Sequence, residues 1–190
     1  MSKRVSLDMQ TIVQVAADWI DRNGLESLSL ASLAQQLGIR SPSLYNHITG
    51  LPGLRTEIAI HGCDRLNSVL TRAAVGRSGD VAVRSIAQTY LDFARTHPGL
   101  YEAVERITAP EDPRWRQATE TLVNTVVQVF QHYGISDEEA IHAVRGFRSL
   151  VHGFSSLEQN GGFRMAIDLD RSFLFLIDTF LRGLHSMEGE

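Results

Sequence analysis

Residues 29–47 constrain the fold of this 190-residue chain more than any other stretch; they read Ser-Leu-Ala-Ser-Leu-Ala-Gln-Gln-Leu-Gly-Ile-Arg-Ser-Pro-Ser-Leu-Tyr-Asn-His. Apolar residues recur at Leu30, Leu33, Ala34 and Leu37, the spacing of one helical face. Ser29 stands in front of that face as a cap, and Gly38 behind it supplies a residue that tolerates positive φ. Ile39 follows as a buried staple. Ser41 can then cap a second short helix, with Pro42 at its first position, where a missing N–H does no harm. Two short helices around a tight glycine turn are the pattern of a DNA-binding helix-turn-helix.

Charge agrees with that reading. No Asp or Glu occurs from residue 27 to residue 56, although the whole chain has a formal net charge of −4. A surface that approaches phosphates should lack carboxylates, which would repel the backbone charge. Arg40 and Arg55 are the only full charges in that window, and His47 can add a partial one. Neither window nor chain is strongly basic, so non-specific DNA affinity should be weak and a full site should need a dimer.

The length suits one sizeable domain or two small ones. No 18-residue apolar run is present, which predicts no membrane span. The first eight residues carry Lys3 and Arg4 but no apolar stretch, so they do not read as a secretory signal. The single cysteine, Cys63, leaves no internal disulfide framework and suits a reducing cytoplasm. It reads as a small apolar filler, with a redox sensor as the rarer reading. No Cys/His cluster has zinc spacing and no glycine-rich phosphate loop follows a strand pattern. The seven histidines are scattered, and Glu102, Glu105, Glu111 and Asp112 crowd a loop region without a partner pattern. We therefore expect no catalytic residues, no metal, no cofactor and no enzyme activity.

The helical period runs through nearly every segment, and strand alternation is absent, so the expected class is all-α with about nine helices. The predicted helices are 8–22, 30–37, 42–47, 51–74, 80–96, 99–106, 114–133, 137–159 and 170–184. In the first, Ile12, Val15, Ala16, Trp19 and Ile20 share a face, and Asn23-Gly24 closes it. Leu25 and Leu28 anchor the link to the second. Asp80 is placed as the cap of helix 80–96, and Ser136 with Glu139 as a capping box for 137–159. In 137–159, Ala140, Val144, Phe147, Val151 and Phe154 form a stripe beside Ala143, Leu150 and Leu157. Gly146 and Gly153, seven apart, would let another helix approach. The last helix, with Phe173, Leu174, Phe175, Leu176, Ile177, Phe180, Leu181 and Leu184, is apolar over more than one face. It must be buried on more than one side, either within one domain or against a second subunit.

Taken together, Trp19-Ile20, Gly24, Leu33-Ala34, Leu37-Gly38-Ile39 and Leu44-Tyr45-Asn46-His47 resemble the N-terminal domain of the tetracycline-repressor (TetR) family. The match covers residues 8–54. His97-Pro98-Gly99-Leu100-Tyr101, Val151-His152-Gly153-Phe154, Leu157-Glu158 and Gly161-Gly162-Phe163 are similar to a subgroup whose C-terminal domain is named for a Trp-His-Gly signature; Val151 stands here in place of the Trp. The resemblance implies an all-helical homodimer. Residues 1–50 would be a three-helix DNA-binding domain. Residues 51–190 would hold a small-molecule effector pocket and dimerise through the last two helices, 137–159 and 170–184, as a four-helix bundle. Its partner would be double-stranded DNA, read as a palindrome, and repression is the expected mode, in the cytoplasm at the nucleoid. Where the family usually has an aromatic after the His, this chain has Ile48. Where it often has a Lys at the start of the fourth helix, this chain has Gly50-Leu51-Pro52-Gly53.

The candidate DNA-binding residues are Arg40, Ser41, Ser43, Tyr45, Asn46, His47 and Arg55. Leu44 should face inward with Ile39, leaving Ser41, Ser43 and Asn46 outward; Asn pairs with adenine and Ser with several bases. Ser41 reads equally as a cap. Tyr45 and His47 match family positions that hydrogen-bond phosphates, and Tyr45 alternatively packs on the first helix. Arg40 suits a phosphate or a guanine, and Arg55 a phosphate. Lys3 and Arg4 either touch DNA or belong to a solvated tail. The candidate effector residues are His61, Tyr90, Phe93, Trp115, Phe147 and His152, with an apolar or aromatic effector expected. Each of these is alternatively a satisfied core residue, and His152 alternatively holds helix 137–159 in register. Two other readings remain at this point. A helical adaptor would have no reason to exclude carboxylates from 27–56, and a regulator could instead answer to a protein partner.

Overall fold

The computed structural model describes residues 7–186, and all of the regular structure among them is helical. The chain divides into two compact units, Met1–Arg65 with Thr96–Thr119, and Leu66–Arg95 with Glu120–Glu190.

In the first unit, Asp8 caps α1 (Met9–Asn23) by accepting the Thr11 N–H at 2.8 Å. Gly24 ends the helix at φ +83°. Its buried residues are Ile12, Val13, Ala16, Ala17 and Ile20, while Val15 and Trp19 are only half-buried. The buried band is turned from the expected face because α1 packs against both α2 (Leu30–Leu37) and α5 (Pro98–Arg106). Trp19 instead donates its indole N–H to Ser27 Oγ at 3.0 Å, tying α1 to the 3₁₀ turn Leu25–Ser27. Ser29 and Ser32 form a reciprocal capping box on α2, and Gly38 closes it in the left-handed region at φ +66°.

The segment expected to be a third helix is a 3₁₀ helix, Ser41–Asn46. It is short, and Pro42 at its start has no N–H to enter an α-helical ladder. Ser41 does not act as its cap: Arg40 occupies the cap position, with no side-chain capping bond. Leu44 and Ile48 are buried beneath it. After it begins α3 (Gly50–Ala74), whose first 16 residues belong to this unit and the rest to the second.

The second unit is built on α4 (Gly79–Thr96), most of α6 (Pro113–Phe130), α7 (Asp137–Gln159) and α8 (Leu169–His185). Phe130 is its centre, with ring centroids 5.7 Å from Phe147 and 5.9 Å from Phe180. All five stripe residues of α7, Ala140, Val144, Phe147, Val151 and Phe154, are buried. The Ser136/Glu139 capping box opens that helix as expected. Asp80 does not cap α4, which starts one residue earlier; its carboxylate accepts Tyr133 Oη–H at 2.8 Å and lies 2.9 Å from His185 Nε2. Arg95 of α4 binds Glu158 of α7 at 2.8 and 2.9 Å and Asp170 of α8 at 2.7 Å, clasping three helices. On α8, Phe173, Ile177, Leu181 and Leu184 are buried, whereas Leu174 and Phe175 remain exposed.

Candidate nucleic-acid interface

The interface is assembled from the inside out. Leu33, Ala34, Leu44 and Ile48 form the floor, and burying Leu44 turns its neighbours outward. Tyr45 is 62% exposed, Arg40 and Asn46 are exposed, and Ser41, Ser43 and His47 are half-buried. The structure thus shows Tyr45 as a surface side chain and not as packing on α1. Arg40, Tyr45, Asn46 and His47 supply a cation, a phenol, an amide and an imidazole along one short segment. Such groups suit phosphate positioning and base-edge contact.

Arg55 stands apart from that set. Its Nη2 lies 3.3 Å from Glu26 Oε2, and Glu26 Oε1 also receives Arg106 of α5 at 3.1 Å. Glu26 sits one residue outside the acid-free window and draws Arg55 into a network of the first unit. No local spacing announces a pair 29 residues apart, so sequence reasoning missed it. The same holds for Asp21, which accepts the Leu100 N–H at 2.8 Å across 79 residues. Lys3 and Arg4 lie outside the described residues.

Of the effector candidates, His61 and Trp115 belong to the first unit. Among the described residues, neither His61 Nε2 nor Trp115 Nε1 has a hydrogen-bond partner, although both atoms are buried. Burial, followed by the nearby charge of Arg65, lowers the His61 pKa and favours its neutral ring. Tyr90, Phe93 and Phe147 are buried in the second unit, where Tyr90 and Phe147 approach to 6.5 Å between ring centroids. His152 is exposed on α7. Among the described residues, no three His, Cys, Asp or Glu side chains group so as to hold a metal ion, and no helix is long and apolar enough to cross a membrane.

Residues 83–180 match the model of the tetracyclin repressor-like, C-terminal domain family. The chain belongs to that family. This regulator is 40% identical to YobS, an uncharacterised helix-turn-helix-type transcriptional regulator of Bacillus subtilis, over 97% of its own length and 96% of the relative's. A second uncharacterised regulator of this type, from Mycobacterium tuberculosis, is 36% identical over 99% of this chain and 85% of its own. In fold, the regulator is similar to a TetR from Acinetobacter baumannii solved in complex with minocycline. The TM-score is 0.73 at 19% identity, covering 97% of this chain and 100% of that one. The all-α class and the TetR-family resemblance read from the sequence both hold. The chain is a TetR-family helix-turn-helix transcriptional regulator.

Proposed function

We propose that this regulator is a homodimeric repressor that reads a palindromic operator and is released by a small-molecule effector. The observation that carries the reading is the outward edge at Arg40, Tyr45, Asn46 and His47, set on a buried Leu44 in a carboxylate-free segment. Ser41 and Ser43 flank that edge as further contacts. Arg55 reaches a phosphate only by leaving Glu26. Residues 1–50 act as the DNA-binding domain, and 51–190 as the effector and dimerisation domain. Two such edges about 34 Å apart match one duplex turn.

Dimerisation through α7 and α8 is supported by the exposed apolar side chains Leu157, Leu174 and Phe175, and by a cleft of about 490 Å³ where Ile135, Ala143, Phe180 and Leu184 line the wall beside Glu139, His142 and Thr179. Large exposed apolar side chains grouped on adjacent helices mark association surfaces. The effector reading is supported by the buried, unpaired nitrogens of His61 and Trp115, since a buried polar atom left unpaired is unfavourable until something bonds to it. Within the second unit, Tyr90, Phe93 and Phe147 form a separate set of apolar and aromatic candidates, and a variant of a TetR with a similar fold was solved in complex with minocycline. The effector would act by population shift through α3, lowering operator affinity only as far as it prefers the released state.

The test is a gel shift on the intergenic DNA beside the regulator's own gene at two salt concentrations. Competitor-resistant, salt-sensitive binding to a palindrome is expected, and Tyr45→Ala should weaken it. A folded chain that binds no sequence in preference to random DNA would overturn the reading.

A further inference from the structure

We propose that Asp21, His97 and Arg65 form a polar node that positions the DNA-reading segment, and that all three are positioning residues for operator binding without touching DNA. The proposal rests on the DNA-binding function above.

The node joins three helices of the first unit. Asp21 lies in the last turn of α1, His97 is the N-cap residue of α5, and Arg65 lies on α3. Asp21 Oδ2 is 2.7 Å from His97 Nδ1, and His97 Nε2 is 3.1 Å from Arg65 Nη2. The other Asp21 oxygen accepts the Leu100 N–H at 2.8 Å. His97 makes no side-chain capping bond to α5, so the cap is a carboxylate from another helix. The Asp21 and His97 side chains are only 14% and 24% exposed, so the pair is largely shielded from solvent.

Donor chemistry fixes the proton positions. A guanidinium only donates, so Nε2 must accept from Arg65. A carboxylate only accepts, so Nδ1 must carry the proton toward Asp21. A neutral imidazole with Nδ1–H satisfies both partners at once. The ring is then a relay between α1 and α3: whatever takes the proton from Nδ1 and puts it on Nε2 sets an N–H against the Arg65 cation. Next to the node, the Gly99 Cα lies so close to α1 that an added Cβ would sit 2.2 Å from the Ile20 carbonyl oxygen. The joint between α1 and α5 is therefore tightly packed, and Arg65 ties α3 to it through the His97 ring. α1 packs on α2, and α2 packs on the Ser41–Asn46 segment. Fixing α1 against α3 thus fixes the base-reading edge at both of its ends.

Two substitutions separate this role from simple stability. Arg65→Met removes the donor to Nε2 and leaves the Asp21 cap of α5 in place. Asp21→Asn puts an amide NH₂ against either His97 or the Leu100 N–H, so one link is lost in either orientation. Affinity is measured for the duplex that the wild-type chain selects from a randomised pool, with circular dichroism to confirm folding. Each variant should bind about tenfold more weakly, inside the range typical of coupled sites. The double variant should lose less than the sum of the two singles, because both bear on one ring. Independently of DNA, ¹⁵N-edited spectra of the His97 ring should show the Nδ1–H tautomer in the wild type. An Nε2–H tautomer, unchanged affinity in Arg65→Met, or additive losses would overturn the node. A folded wild type that selects no motif would overturn the DNA-binding reading itself, a result distinct from a wild type that binds while the variants bind equally well.

Discussion

Leu44 and Tyr45 are adjacent in sequence and opposite in environment: the first is fully buried, the second 62% exposed. Removing each should therefore have separable effects. Leu44→Ala should lower the unfolding free energy by about 2–5 kcal/mol, the usual range for truncating a buried leucine, read by urea denaturation. Tyr45→Ala should leave stability within about 0.5 kcal/mol, as expected for a surface side chain, and lower operator affinity. Equal loss of stability in both would mean that the segment is not oriented as described. The inward Leu44 was legible from helical spacing alone. The tie of Arg55 to Glu26 was not, because an ion pair 29 residues apart leaves no local trace.

At the scale of elements, two contacts carry testable consequences. Gly99 admits no Cβ because the backbone of α1 occupies that place. Gly99→Ala should force the two helices apart and destabilise the chain by about 1–3 kcal/mol, as overpacking does, seen as a lower urea midpoint. Asp80 joins α4 to Tyr133 and to His185 of α8. Burial alone would raise its pKa, but the hydrogen bonds from Tyr133 and His185 and the charges of His185 and Arg84 outweigh it and lower the value. A carboxylate whose folded pKa lies below its unfolded value of ~3.9 contributes stability above that pH and loses it as pH falls further. Asp80→Asn should therefore reduce stability at neutral pH and flatten its acid-side decline, measured by thermal melts from pH 7 down to about pH 3. An unchanged acid limb would assign the decline to other carboxylates.

At the scale of the whole molecule, the last two helices show how a pattern can be right while its partner stays open. The α7 stripe is buried within its own unit, and Gly146, read as a place for another helix to approach, faces Phe180 of α8, whose ring lies 3.3 Å from where a Cβ would be. What remains exposed is a second apolar set that includes Leu174 and Phe175, the latter 69% exposed. Phe175→Glu should leave the monomer fold intact, since the residue touches solvent, and should abolish self-association in sedimentation velocity together with operator binding. A dimer that survives the charge would place the interface elsewhere.

Sequence by itself determined the helical class, most helix boundaries and the turn at Gly38. These follow from local causes: the 3.6-residue period, side-chain caps such as Ser29 and Ser136, and glycines such as Gly24 and Gly134 at positive φ. It also determined the family, through several fixed spacings that agree at once. Tertiary structure alone decided which face of α1 is buried, that Ser41–Asn46 is 3₁₀, and that Asp80 bonds Tyr133, just beyond α6, and His185 of α8 instead of capping α4. It alone brought Asp21, Arg65 and His97 together. The reason is the same in each case: these outcomes depend on which distant surface arrives against a residue, and a hydrogen bond or an apolar contact across dozens of residues imposes no periodicity on the chain.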